Sequence, residues 1–155
     1  MDLAKYILGA WQLHCWRIEY GVTRSNPSEP QAVSYPFGQD ASGFILYTPD
    51  GIMSASICEP GRPRLSQANV RNAPTSEQAE AFKSYFSYSG RWKVEGKNVI
   101  HTVELSLNPA FVGTDQIRQV DVLDDNRMQL SAQERIGADE FRNHILEWKR
   151  SSRAE

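Results

Sequence analysis

Three residues of types that could do chemistry, His101, Gln116 and Arg118, fall within one stretch, NVIHTVELSLNPAFVGTDQIR at 98–118. An imidazole with an ordinary pKa near ~6.5 serves as a neutral base or a charged acid around neutral pH. A guanidinium keeps its charge, and an amide both donates and accepts, so Arg118 and Gln116 could hold a carbonyl or a developing oxyanion. His101 and Arg118 are therefore the catalytic candidates. Gln116, Trp92, Val103 and the hydroxyl-bearing Tyr47, Tyr85 and Tyr88 are the candidates for contacting a ligand. The same residues also allow a structural arrangement: a core histidine bonded to main chain or a tyrosine, an arginine facing out or paired, and tyrosines that only fill the core or its rim.

Strand periodicity decides which of these can meet. Val99, His101, Val103, Leu105 and Leu107 share one face, and Ile100, Thr102, Glu104 and Ser106 share the other, the alternation of a half-buried antiparallel strand. A two-residue turn at Gly96-Lys97 puts Trp92 directly opposite His101. Across the longer NPAFVG connection, pairing Leu107 with Thr114 sets Leu105 by Gln116, Val103 by Arg118 and His101 by Val120. Gln116 and Arg118 then share an inward face with Val120 and Val122, and a slip of one residue would turn both outward.

The remaining chain supplies a scaffold. Asp2 can cap one turn through Ile7, and WQLHCWRIEY (11–20) reads as a long strand whose inward face is ambiguous. Residues 21–42, with three prolines, read as a long loop that could gate a pocket. GFILYTPDGIMSASIC (43–58) is a hairpin about Thr48-Pro49-Asp50-Gly51. Residues 59–74 cannot continue a sheet. A helix starts near Thr75 with a Thr75/Gln78 capping box, and Phe82, Tyr85 and Phe86 form its apolar stripe. Strands follow at 89–95, 98–107, 114–122, 127–133 and 140–150. Eight sequential antiparallel strands spanning residues 1–155 as one domain predict an all-β up-and-down barrel, with one helix inserted between strands 3 and 4 and room for one small ligand.

Composition narrows the function classes. Seventeen basic and 19 acidic side chains leave a formal charge of −2 without a run of either sign, so no nucleic-acid footprint is present. No signal-peptide pattern and no membrane-spanning stretch is seen, which reads as a cytoplasmic protein with no membrane partner. Cys15 and Cys58 read as buried reduced thiols rather than a disulfide. His14, His101 and His144 lack metal-ligand spacing, and there is no GxGxxG, P-loop or GxSxG, so neither metal nor cofactor is expected.

The segments Gly9-Ala10-Trp11, 43–55, YFSYSG at 85–90, 101–118 and Glu147-Trp148-Lys149-Arg150 together resemble the bacterial and fungal lipocalin-like domain family. The loop at 59–74 matches least. The resemblance implies an eight-stranded barrel with an internal pocket, Trp11 plugging the closed end beneath a basic side chain of the last strand. It leaves two functions open. One is cofactor-independent acid/base chemistry, of isomerase, cyclase or lyase type, on a small, largely hydrophobic, carbonyl-bearing metabolite. The other is a non-catalytic carrier or sensor using the same cavity. A homodimer is compatible with either.

Overall fold

A computed structural model describes residues 1–23, 30 and 32–152. The elements run α1 (Leu3–Ile7), β1 (Gly9–Thr23), β2 (Ala32–Ser34), β3 (Ser42–Tyr47), β4 (Ile52–Cys58), α2 (Thr75–Lys83), β5 (Tyr85–Glu95), β6 (Asn98–Ser106), β7 (Asp115–Asp124), β8 (Arg127–Arg135) and β9 (Glu140–Arg150). All neighbouring strands pair antiparallel, and β1 bonds both to β3 and to β9, which closes eight of the strands into a barrel. Closure leaves no long unpaired edge on those eight. The short β2 adds to the far half of β1. Counting β2, the helix lies between the fourth and fifth strands; among the barrel strands alone it lies between the third and fourth, as the sequence predicts.

Local chemistry accounts for the framework. The Asp2 carboxylate accepts from the Lys5 amide and caps α1. At the 48–51 turn Gly51 has φ +85°, the left-handed conformation that glycine adopts without strain, and Thr48 Oγ1 bonds the Asp50 carboxylate. Trp11 is fully buried at the closed end; its indole donates to the Ile7 carbonyl at 2.8 Å. The Arg150 guanidinium lies 4.1 Å from the Trp11 ring centroid and donates to the carbonyls of Tyr6 and Leu8. That arrangement matches the plug and basic cover implied by the resemblance.

Several expectations need correction. Thr75 is the first helical residue and Pro74 occupies the cap, so the Thr75/Gln78 box does not form; the Gln78 amide donates to the Ala73 carbonyl instead. The helix stops at Lys83, and Tyr85 and Phe86 belong to β5, leaving Phe82 51% exposed rather than part of an apolar stripe. The loop expected at 21–42 is interrupted, because β1 runs to Thr23 and Ala32–Ser34 form β2. Residues 24–29 and 31 of that loop, with Pro27, lie outside the described residues. Cys15 and Cys58 are free, as expected, but half-buried.

Two of the four register shifts among the described strands, one in β1 and one between β5 and β6, reset the side-chain alternation of residues singled out in the sequence. In β1 Leu13 pairs with Trp148 and Cys15 with Glu147, so His14 is extra and the inward set changes from Trp11 and Leu13 to Trp16 and Ile18. This is why both faces of that strand look apolar. In β6 Val103 pairs with Gly90 and Leu105 with Ser89, leaving Glu104 extra. Val103 is buried, whereas Leu105, expected inward, is 70% exposed. At this bulge a Cβ on Gly90 would sit 1.9 Å from the Thr102 carbonyl oxygen, so the two backbones approach more closely than any side chain allows.

Candidate functional site

The Gly96-Lys97 turn forms as predicted, with φ +60° at Gly96, and Trp92 pairs with His101. The next register differs. His101 pairs with Gln116 rather than Val120, and Val99 rather than Val103 pairs with Arg118, a shift of four residues. An even shift preserves the inward face, so Gln116 and Arg118 still point towards the interior. The shift arises because Leu105 and Ser106 remain bonded to β5 alone, while Pro109–Phe111 form a 3₁₀ turn. That turn packs Phe111 against Phe86 and Tyr88, at ring-centroid distances of 5.8 and 6.3 Å. Burying an aromatic ring outweighs extending the β6–β7 ladder by a few pairs.

Inside the barrel is a cavity of about 450 Å³. Its deep wall is apolar, with Ile45, Ala55, Ile57, Leu130, Leu146 and Trp148, and aromatic rings of Trp16, Phe86 and Phe111 line it further out. Polar side chains enter at Tyr88, His101, Gln116 and Arg118, and the exposed Gln133 and Glu134 mark where the cavity meets solvent. Such a volume and lining suit one drug-sized apolar molecule with a few oriented polar contacts.

His101 is 1% exposed and both ring nitrogens are engaged: Nε2 lies 2.8 Å from the Tyr47 hydroxyl and Nδ1 lies 2.7 Å from that of Tyr88. Burial, with a further contribution from the nearby Arg118 charge, lowers its pKa to about 3, so the ring is neutral at physiological pH. Burial raises both tyrosines, so they keep their protons. Arg118 donates to the Ile117 carbonyl and to Gln116 Oε1, and makes no ion pair among the described residues. The Gln116 amide nitrogen in turn donates to Thr114 Oγ1. At the mouth Glu134 accepts from Arg142 and contacts His144 at 3.2 Å.

Of the residues singled out in the sequence, His101, Arg118, Gln116 and Tyr88 line the cavity together. Tyr47, Trp92 and Val103 stand behind them in or against the core and do not line it. The Trp92 indole donates to the Thr48 carbonyl, and its ring packs edge-on against Tyr47. Tyr85 is remote, on β5 beneath the Arg62 guanidinium. The sequence reading missed Trp16, Phe111, Glu134 and His144, and placed Phe86 on the helix instead of β5. Phe111 had a signal, an aromatic in a Pro/Gly loop, but the others depend on bulges and on strand ends that periodicity alone does not place.

An antiparallel barrel plugged at one end and holding a largely apolar cavity defines a small-molecule-binding barrel. Within that class the chain belongs to the lipocalin-like domain family, whose model matches residues 8–151. A protein of Aspergillus oryzae (strain ATCC 42149 / RIB 40), named 4'-hydroxy-3'-methoxypropiophenone carrier protein ppsC, is 35% identical over 81 residues, 47% of this chain and 73% of that protein. A redesigned β-barrel of known structure aligns over 96% of this chain and 95% of its own with TM-score 0.40 and 10% identity, a level that carries no argument. Among the described residues no helix is long and apolar enough to cross a membrane.

Proposed function

We propose that this barrel reversibly binds a small, largely apolar, carbonyl-bearing compound in its cavity and carries it chemically unchanged. The observation that supports this reading over acid/base catalysis by His101 is the Tyr47–His101–Tyr88 arrangement. With both nitrogens engaged, the imidazole has no free lone pair to abstract a substrate proton. With its pKa at about 3, it has no acidic proton to give near neutral pH. What this cluster and Arg118 can offer a ligand is orientation of an oxygen atom. The name of the Aspergillus relative, a carrier of an aryl ketone, agrees with this reading.

A second reading keeps the isomerase, cyclase or lyase chemistry but moves the proton-transfer role to Tyr88. The Tyr88 hydroxyl on the cavity wall favours it: it would give its proton to a ketone oxygen while water takes the α-proton, and regain that proton when the enol returns to the ketone, with Arg118 and Gln116 beside the oxygen. Propiophenone in D2O separates the two. Carriage predicts saturable quenching or enhancement of tryptophan fluorescence, because Trp16 and Trp148 line the cavity, and no acceleration of α-proton exchange over buffer by NMR. Accelerated exchange would establish the catalytic reading instead, and absence of saturable binding would remove both.

A further inference from the structure

The Tyr47–His101–Tyr88 cluster holds three polar hydrogens and makes two hydrogen bonds: two hydroxyl protons, one proton on the neutral ring, and two N···O contacts. One hydrogen must therefore point elsewhere, and burial decides which. Tyr47 is 2% exposed, does not line the cavity and has no other partner among the described residues. If the ring donated to Tyr47, the Tyr47 hydrogen would be buried without an acceptor, a cost of about 1–3 kcal/mol. Tyr88 lines the cavity, so its hydrogen has space to turn into. The low-energy polarity therefore has Tyr47 donating to Nε2 and Nδ1–H donating to the Tyr88 oxygen, with the Tyr88 hydrogen aimed inward.

Other groups around the cavity repeat this bias. The indole nitrogens of Trp16 and Trp148 are buried with no hydrogen-bond partner among the described residues, and both residues line the cavity. Trp148 is itself only 2% exposed. Of the side-chain amide and carboxylate oxygens on the cavity wall, Gln116 Oε1 already accepts from Arg118, and the others, on Gln133 and on a Glu134 carboxylate that accepts from Arg142 and His144, lie at the solvent-facing mouth. Buried donors without acceptors are costly, and a ligand oxygen relieves that cost. From this we infer that the cavity is a donor-lined site whose ligand is an apolar molecule bearing hydrogen-bond-acceptor oxygens such as ketone or ether groups. Tyr88 is then the specificity-determining residue, and Tyr47 positions its proton through His101.

This inference rests on the binding reading above, so its test includes one measurement that needs no ligand. In ¹⁵N spectra of the free protein, His101 should show a protonated Nδ1 and a bare Nε2; the opposite tautomer overturns the assigned polarity. The second measurement compares propiophenone with propylbenzene, which differ by one acceptor oxygen. Wild-type protein should prefer the ketone, and Tyr88→Phe should shrink that preference by about 3- to 10-fold, the worth of one neutral hydrogen bond, while hydrocarbon affinity holds. The Trp16 and Trp148 indole N–H signals should shift with the ketone more than with the hydrocarbon. An unchanged preference in Tyr88→Phe refutes the role of Tyr88. If wild-type protein binds neither compound, the binding reading fails, and the tautomer still decides the proton arrangement independently.

Discussion

His101→Gln isolates the energetic consequence of burying a neutral imidazole. The ordinary histidine pKa of 6.5 applies to the unfolded chain, while burial and the Arg118 charge lower it to about 3 in the fold. Between those values the unfolded chain binds the extra proton, so stability rises with pH across this window. The contribution is complete above pH ~6.5 and is lost progressively as pH falls towards 3. Each pKa unit corresponds to ~1.4 kcal/mol, so going from pH 7.5 to 5 removes about 2 kcal/mol through this one residue. Urea unfolding at both pH values measures it: the wild type should lose about 2 kcal/mol more than His101→Gln, since every other titratable group is common to the two proteins. In the wild-type NMR spectrum, His101 should stay neutral down to about pH 4. Equal pH sensitivity in the two proteins, or a His101 resonance titrating near 6.5, would refute the buried neutral ring and the hydrogen-bond argument built on it.

Two substitutions test the scaffold. Arg150→Met removes two charge-assisted bonds, to the Tyr6 and Leu8 carbonyls, together with the stacking on Trp11, and should cost roughly 2–4 kcal/mol in thermal or urea unfolding. Loss of less than about 1 kcal/mol would show that the closed end needs no cover. Leu105→Lys should change stability by no more than ~0.5 kcal/mol, because the β6 bulge turns this residue into solvent, whereas unbroken alternation would bury it and make the change severe.

The route from aligned residues to chemistry changed at His101. Alternation along 98–107 correctly buried the imidazole, and the Gly96-Lys97 turn correctly set Trp92 across from it. The tyrosines that occupy its nitrogens come from β3 and β5. Tyr47 is separated from His101 by 54 positions, and no local pattern specifies such a contact. That contact is what shifts the favoured reading from an acid/base histidine towards a binding site whose donor is Tyr88.

The sequence by itself determined the barrel, the 48–51 hairpin and the Gly96-Lys97 turn that sets Trp92 across from His101. These follow from period-two alternation, turn chemistry and short-range spacing, which are properties of contiguous residues. Tertiary structure alone decided the β6–β7 register, the bulges at His14 and Glu104, the fold of Phe111 over the cavity and the three-proton cluster behind Tyr88. The physical reason is that each is a competition between a strand ladder and the burial of side chains from distant strands. The winner is set by which surfaces meet when the barrel closes.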